Sequence, residues 1–144
     1  MASYSATVPS SRAQDEVFTY LADFRSVAEW DPSITSSTHT SDGQPIQVGA
    51  RFEVVTSVLG HETALTYETV ELERPGKIVL RGENDACVSI DTITIAPSGT
   101  GCEVTYDAEI ELKGVRKVAD PLMGVALGRL GAKAKDGLRE QLNP

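Results

Sequence analysis

Residues 103–112 read EVTYDAEIEL, and apolar and polar side chains alternate through this stretch without a break. The apolar set is Val104, Tyr106, Ala108, Ile110 and Leu112, with four carboxylates and a threonine between them. Strict alternation of this kind is typical of a β-strand that buries one face. The charged face lies in water, so we predict an antiparallel sheet that is covered on one side only.

A long helix at the end of the chain is predicted to cover the other side. Apolar residues recur there every four positions, in one row from Val118 to Leu142 and a second row of Val115, Ala119, Met123 and Leu127. Asp120-Pro121 either starts this helix or kinks a helix that begins near Gly114. A helix of about 22 residues spans roughly 33 Å, which is enough to cross a curved sheet.

The start of the chain predicts one strand and two short helices. Residues 3–8 form the strand, which we expect to end at Pro9. Ser11 and Gln14 have the spacing of a capping box ahead of an amphipathic helix. Ser26 is predicted to cap a second helix that ends at Trp30, because the residue before Pro32 disfavours helical geometry.

Five more strands precede the final one. They are predicted at residues 34–41, 52–58, 63–72, 77–81 and 86–95, with turns at Asp42-Gly43, Gly60-His61, Pro75-Gly76 and residues 97–101. The first of them is polar and therefore suits an edge. The apolar residues change face within 63–72, which indicates a β-bulge near Glu68.

This order, β-α-α-β-β-β-β-β-β-α, predicts an α+β protein with a curved antiparallel sheet wrapped around the C-terminal helix. The length of 144 residues suits a single domain over 1–144. One Trp, three Phe and four Tyr are few large side chains to fill the space between sheet and helix. We therefore expect a cavity there.

Charge and hydropathy limit the possible partners and locations. The net charge of -8 disfavours sequence-independent binding of nucleic acid. Residues 1–112 carry 6 basic and 18 acidic side chains and residues 113–144 carry 7 and 3, which predicts a basic outer face on the helix or, alternatively, a surface for an anionic membrane or ligand. We find no transmembrane segment and no secretory signal, so a cytoplasmic location is expected.

The cysteine and histidine residues predict neither a disulfide nor a metal site. Cys87 and Cys102 are expected far apart along paired strands, beyond the roughly 7 Å that a disulfide allows between Cα atoms. His39 and His61 lack the spacing of metal ligands. We therefore expect no cofactor. We also expect the protein to be a monomer or a homodimer.

Two short motifs resemble a known family. The run VFTYLADF at 17–24 followed by EWDP at 29–32 looks like the opening of the polyketide cyclase/dehydrase-like proteins of the START-like (SRPBCC) superfamily. Residues 49–52 and the turn before residue 103 are also similar to that family, so the resemblance covers nearly the whole chain. It implies the helix-grip fold and a cavity for apolar molecules, with Trp30 at the cavity mouth. From the residues alone, Trp30 is equally a hydrophobic plug.

The candidate ligand-binding residues come from the inner face of the sheet and from the helix. The apolar candidates are Phe52, Val54, Leu65, Met123 and Leu127, and the polar candidates are Trp30, Tyr67, Arg81 and Tyr106. Each tyrosine hydroxyl binds either a ligand or another protein group. Arg81 either meets an anionic ligand group or is an exposed charge.

Asp91 is the weak candidate for a catalytic residue, and its position depends on the register of the last hairpin. One register places Asp91 inside opposite Tyr106, and another places it inside opposite Ala108. A slip of one residue turns it outside, opposite Asp107. A buried Asp beside a Tyr is suited to acid–base chemistry, because burial raises its pKa.

Three functions follow as hypotheses. The first is binding or transport of a small hydrophobic ligand, such as a lipid or a polyketide-like molecule, between sheet and helix. The second is a polyketide cyclase or dehydratase that uses acid–base residues of the cavity. The third is a stress-related interaction protein that binds no ligand. The stretch 65–72 lacks the Arg and His that the resemblance implies for cyclases, so non-enzymatic binding is favoured.

Overall fold

The computed structural model describes residues 2–40, 45–58, 60–114 and 120–143, and only the backbone at residues 2, 58 and 120–127. The strands are β1 (Ala2–Ser10), β2 (Ile34–His39), β3 (Arg51–Val58), β4 (His61–Glu73), β5 (Lys77–Glu83), β6 (Cys87–Ser98) and β7 (Gly101–Leu112). The helices are α1 (Gln14–Ala22), α2 (Val27–Trp30) and α3 (Asp120–Leu142), with a 3₁₀ turn at Phe24–Ser26. This order confirms the predicted α+β architecture.

The seven strands form one antiparallel sheet in the order β1-β7-β6-β5-β4-β3-β2. The polar strand β2 lies at one edge, as its sequence predicts. The inner face carries the core residues, among them Phe52, Ile78 and Val104. Strand β4 changes register against β5 between Thr69 and Glu71, which confirms a bulge close to Glu68.

The hairpin of β6 and β7 has the register that places Asp91 inside, opposite Ala108. Its loop is the two residues Gly99-Thr100, because both strands extend to the pair Ser98 and Gly101. Cys87 pairs with Leu112 and Cys102 with Pro97, about 33 Å apart along β6 at 3.3 Å per residue. Both cysteines are free, as predicted.

The capping predictions at the start of the chain are wrong. The N-cap of α1 is Ala13, with no side-chain cap. The Ser11 N–H donates to Oδ1 of Asn143 at 3.1 Å, and the Gln14 amide donates to the carbonyl of Ile95 at 2.7 Å. Ser26 precedes α2 without a capping hydrogen bond from its side chain, although α2 ends at Trp30 as expected.

The first strand continues through Pro9 to Ser10, which corrects the predicted end at Pro9. Strand β1 is the outer strand of the sheet beside β7. Proline lacks the backbone N–H that donates a hydrogen bond to a neighbouring strand. An edge strand tolerates this loss because it has a neighbour on one side only, whereas a central strand pairs on both sides.

Helix α3 is described from Asp120 to Leu142, and the choice between the two predicted starts depends on residues outside the described ranges. Residues 115–119 and the turn at Asp42-Gly43 lie outside the described residues. The last turns of α3 bury Ala134, Leu138 and Leu142.

Two hydrogen bonds fix the end of α3 on the first strand. The Ser10 hydroxyl donates to the carbonyl of Leu142 at 2.8 Å. The Asn143 amide donates to the carbonyl of Pro9, also at 2.8 Å. The C-terminal half of α3 is therefore attached to the edge of the sheet, which sets one wall of the space between them.

Candidate functional site

An apolar cavity of about 250 Å³ lies between the inner face of the sheet and α3. The strands contribute Val54, Leu65 and Ala108 to its wall, and α3 contributes Leu130 and Ala134. Packed interiors contain few voids larger than a water molecule. The volume lies just under the roughly 300–1,000 Å³ of most ligand pockets, so the cavity can hold a small organic molecule.

A hydrogen-bonded group centred on Asp91 lies on the wall of this cavity. The side chain of Asp91 is buried, with 3 % of the residue exposed. The Ser89 hydroxyl donates to Oδ1 at 2.9 Å, and the Tyr106 hydroxyl donates to Oδ2 at 2.6 Å. Strand periodicity places Ser89 and Asp91 on the same face of β6, two residues apart.

Burial raises the pKa of Asp91 from 3.8 to about 6, and the hydrogen bonds from Tyr106 and Ser89 oppose that rise. Burial, followed by the charge of Asp91, raises the pKa of both Tyr67 and Tyr106 well above 10. Both tyrosines therefore stay protonated and act as donors at neutral pH. Asp91 therefore gains or loses its proton near pH 6, just below neutrality.

A second carboxylate reaches the cavity from the segment after α2. Oδ1 of Asp31 accepts from the backbone N–H of Ser33 at 2.9 Å and from the Ser33 hydroxyl at 2.8 Å. Burial raises the pKa of Asp31 despite these hydrogen bonds. The charge of Asp31 also raises the pKa of Asp91, so the two groups disfavour each other's ionised form.

Trp30 supports Tyr106 from behind. The two rings meet edge to face, with centroids 5.3 Å apart. A Cβ on Gly137 of α3 would lie 2.0 Å from the carbonyl oxygen of Trp30, so only glycine allows α2 to pack this closely on α3. These contacts hold the ring whose hydroxyl binds Asp91.

Two further glycines leave space for tyrosine rings that line the cavity. A Cβ on Gly82 would lie 2.6 Å from Cζ of Tyr67, and a Cβ on Gly131 would lie 2.4 Å from Cδ2 of Tyr4. Gly82 pairs with Tyr67 across β4 and β5. Both rings thus lie flat over the neighbouring backbone, which keeps the cavity open.

The sequence matches one family model over residues 1–143, described as polyketide cyclase/dehydrase and lipid transport. The chain belongs to that family. Among curated proteins, no sequence matches this chain. The fold of this family consists of the sheet, the long helix and the space between them. One fold can support more than one activity.

Solved structures of other proteins share the fold of this chain. A START superfamily protein from Mycobacterium smegmatis has a TM-score of 0.78 at 16% identity, over 99% of this chain and 97% of that chain. An aromatase/cyclase from a Streptomyces species has a TM-score of 0.79 at 13% identity, over 97% and 92%. A major latex-like protein from Panax ginseng has 0.72 at 12%, over 99% and 98%. At these identities, the likeness is one of fold.

Four of the predicted ligand-binding residues line the cavity together with Asp91. They are Val54, Leu65, Tyr67 and Tyr106. Their contact with a ligand remains a prediction. Met123 and Leu127 belong to α3, but their side chains lie outside the described residues.

Three predicted ligand-binding residues do not line the cavity. Trp30 and Phe52 are almost fully buried in the core, and Trp30 takes the position of a plug behind Tyr106. Arg81 lies on the outer face of β5 and donates to Glu83 at 2.9 Å. Its guanidinium points away because the alternation of β5 places Leu80 and Gly82 inside.

Sequence reasoning missed Asp31, Ser89 and Tyr4 as cavity residues. Ser89 shares strand parity with Asp91, so the signal was present once the register was known. Asp31 stands directly before Pro32, and this pair indicates only the end of a helix. The pattern gives no sign that Asp31 lines the cavity. Tyr4 depends on the glycine at residue 131, which strand patterns do not reveal.

Metal binding and membrane spanning find no support among the described residues. Within the described ranges, no three His, Cys, Asp or Glu side chains come together as metal ligands. Over the same part of the chain, no helix combines the length and apolar character that crossing a membrane requires.

Proposed function

We propose that this protein binds a small, largely apolar molecule in the cavity between the sheet and α3. The observation that carries the proposal is the cavity itself, an apolar space with the buried carboxylate of Asp91 on its wall. The family supports it, because its description combines cyclase, dehydrase and lipid transport activities. A carrier needs only the cavity, whereas an enzyme also needs groups that move protons.

The affinity of such a ligand comes chiefly from apolar burial. A molecule that removes about 200 Å² of apolar surface from water gains about 5 kcal/mol at about 25 cal/mol per Å². The polar end of the ligand meets Asp91, Tyr67 and Tyr106, which fix its orientation.

The test uses the neutral fluorescent probe N-phenylnaphthylamine and a variant that fills the cavity. Ala108→Leu adds volume to the cavity wall, and Ala64→Leu adds the same volume to an exposed site on β4. We expect Ala108→Leu to weaken probe binding by about tenfold or more, while Ala64→Leu leaves binding unchanged. Native mass spectrometry of the purified protein identifies any molecule that it retains.

Equal binding of the probe to both variants would contradict a ligand in this cavity. A protein that binds no apolar probe and retains no molecule would instead support the third hypothesis, an interaction protein without a ligand. Thermal unfolding of both variants checks that a loss of binding is not a loss of fold.

A cyclase or dehydratase is the second candidate, and the raised pKa of Asp91 favours it. A carboxyl group with a pKa of about 6 can donate and accept a proton near neutral pH. An assay of a poly-β-carbonyl thioester tests this candidate. Turnover that Asp91→Asn abolishes, with probe binding retained, supports the enzyme; binding without turnover supports the carrier.

A further inference from the structure

We propose that the ligand of this cavity carries a hydrogen-bond donor where it meets Asp91, and that a protonated amine is the preferred donor. The inference rests on the proposed function, because it assigns the polar group of the molecule that the cavity binds. It predicts that the protein binds amphiphilic amines in preference to fatty acids or other anions.

The first argument is the charge of the cavity wall. Two carboxylates line it, Asp31 from the segment after α2 and Asp91 from β6. Among the described lining residues there is no Lys, Arg or His. The remaining polar groups are hydroxyls, a thiol and the Asn84 amide, which carry no positive charge at neutral pH.

The second argument is the state of Asp91 within this wall. Ser89 and Tyr106 each satisfy one carboxylate oxygen, but neutral donors do not cancel the charge. The Tyr67 hydroxyl also lowers the pKa of Asp91 through a hydrogen bond, and a carboxylate with about four lone-pair positions still has room for one more donor. Burial of a charge without a counter-charge is unfavourable, and an ammonium group supplies both the missing charge and up to three donors.

The third argument is the shape of the apolar part. The cavity that Asp91 lines is also lined by apolar side chains, among them Leu65, Ala108, Leu130 and Ala134. A ligand with an apolar body and one cationic group therefore matches both the apolar lining and the carboxylates. An anion of the same shape would meet two like charges.

The test compares three probes that share one hydrocarbon body: phenylbutylamine, phenylbutanol and phenylbutanoate. Their affinities are measured by displacement of N-phenylnaphthylamine at about pH 7.5, where the alkylamine is protonated. We expect the amine to bind about tenfold tighter than the alcohol, and the carboxylate to bind weakest.

Asp91→Asn keeps the size of the side chain and removes its charge. We expect this variant to lose the preference for the amine, so that it binds the amine and the alcohol about equally. The matched control is Asp107→Asn on the opposite face of β7, which removes one charge outside the cavity and should preserve the preference. Thermal unfolding verifies that both variants are folded.

The wild-type protein provides a test that needs no variant. As the pH falls from about 7.5 to about 5, Asp91 takes up a proton, and the amine should lose its advantage over the alcohol. The groups that face Asp91 are Tyr67 on β4, Ser89 on β6, Tyr106 on β7, and Asp31 after α2. Burial raises the pKa of Asp31 as well, so both carboxylates act in the same direction.

The outcomes separate this inference from the proposed function. Equal affinities for amine and alcohol, or tighter binding of the carboxylate, overturn the amine preference and leave apolar binding intact. An amine preference that persists in Asp91→Asn also overturns it. If none of the three probes displaces N-phenylnaphthylamine, the inference fails; if N-phenylnaphthylamine itself does not bind, the proposed function fails with it.

Discussion

Tyr106 and Asp91 are joined by a 2.6 Å hydrogen bond although they are not opposite each other in the sheet. The register pairs Asp91 with Ala108 and Tyr106 with Ile93, so the Tyr106 hydroxyl reaches Asp91 along a diagonal of the inner face. The small side chain of Ala108 leaves room for this contact and for the cavity beside it. The diagonal pair therefore connects the packing of the sheet to the chemistry of the candidate site.

Tyr106→Phe tests the strength of this pair. Removal of the hydroxyl leaves a buried carboxylate with one donor fewer, and we expect the free energy of unfolding to fall by about 2 kcal/mol near pH 7.5. The pKa of Asp91 should rise further, because the Tyr106 hydrogen bond lowers it. Urea denaturation measures the first effect, and an NMR titration of the Asp91 carboxyl measures the second.

Tyr20→Phe is the matched control. The Tyr20 hydroxyl donates to an exposed carboxylate, Glu29, at 2.7 Å. Water replaces that contact when it is lost, so the expected loss is under about 1 kcal/mol. Equal losses in the two variants would show that the Asp91 pair is no stronger than a surface contact.

The raised pKa of Asp91 predicts a specific dependence of stability on pH. The folded protein holds the Asp91 proton more tightly than the unfolded chain, whose carboxyl has the ordinary pKa of 3.8. This contribution is fully present below about pH 4 and is lost as the pH rises through about 6.

Asp91→Asn isolates that contribution, because the amide resembles the protonated acid at every pH. Relative to the wild type, the variant should gain up to about 3 kcal/mol in the free energy of unfolding between about pH 4 and pH 7.5. Urea denaturation at several pH values gives the difference curve. A flat curve, or one like that of Asp107→Asn, would mean that the pKa of Asp91 is not raised.

The strand pattern was sufficient to predict the sheet, and it was insufficient to place Asp91. Alternation in residues 103–112 predicts which face of β7 is buried, because side-chain direction follows directly from parity. The position of Asp91 depends instead on the number of residues in the turn at 99–100, and the sequence allows several turn lengths. One residue more or less exchanges the two faces of β6.

Contacts between distant segments account for the other failures. The capping box at Ser11 and Gln14 is locally favourable, yet Gln14 bonds to Ile95, which is 81 residues away. Asp31 faces the cavity because of how α2 packs on α3 through Gly137 and Trp30. Local patterns contain no information about such approaches, since they arise from the assembled fold.

Chemical modification of the two cysteine thiols tests whether a ligand occupies the cavity, and it needs no assay of function. Cys87 lines the cavity and is half-buried, whereas Cys102 on β7 is 1% exposed and pairs with Ser10 of β1. Burial raises the pKa of both, so both react slowly. We expect a maleimide reagent to modify Cys87 first.

Phenylbutanol should slow the modification of Cys87 by about tenfold at saturation, and it should leave that of Cys102 unchanged. Mass spectrometry of peptides from the modified protein measures both rates. Equal protection of the two thiols would indicate general stabilisation of the fold, and absence of protection would place the ligand away from Cys87.

Gly128 and Gly131 lie three residues apart on α3 and are predicted to respond oppositely to alanine. Among the described residues, no atom lies within 4 Å of a Cβ on Gly128, so Gly128→Ala should raise the free energy of unfolding by about 0.5–1 kcal/mol through helix propensity. A Cβ on Gly131 would lie 2.5 Å from Cγ of Tyr4. That atom is close to the backbone of β1 and cannot move without the whole ring.

Gly131→Ala should therefore lower the free energy of unfolding by about 1–3 kcal/mol, because overpacking outweighs the gain in helix propensity. Tyr4 also lines the cavity, so a shift of its ring into that space should make the variant bind N-phenylnaphthylamine more weakly. Urea denaturation and probe titration measure the two effects. Stabilisation by Gly131→Ala with unchanged probe binding would mean that α3 lies farther from β1 than the contact with Tyr4 requires.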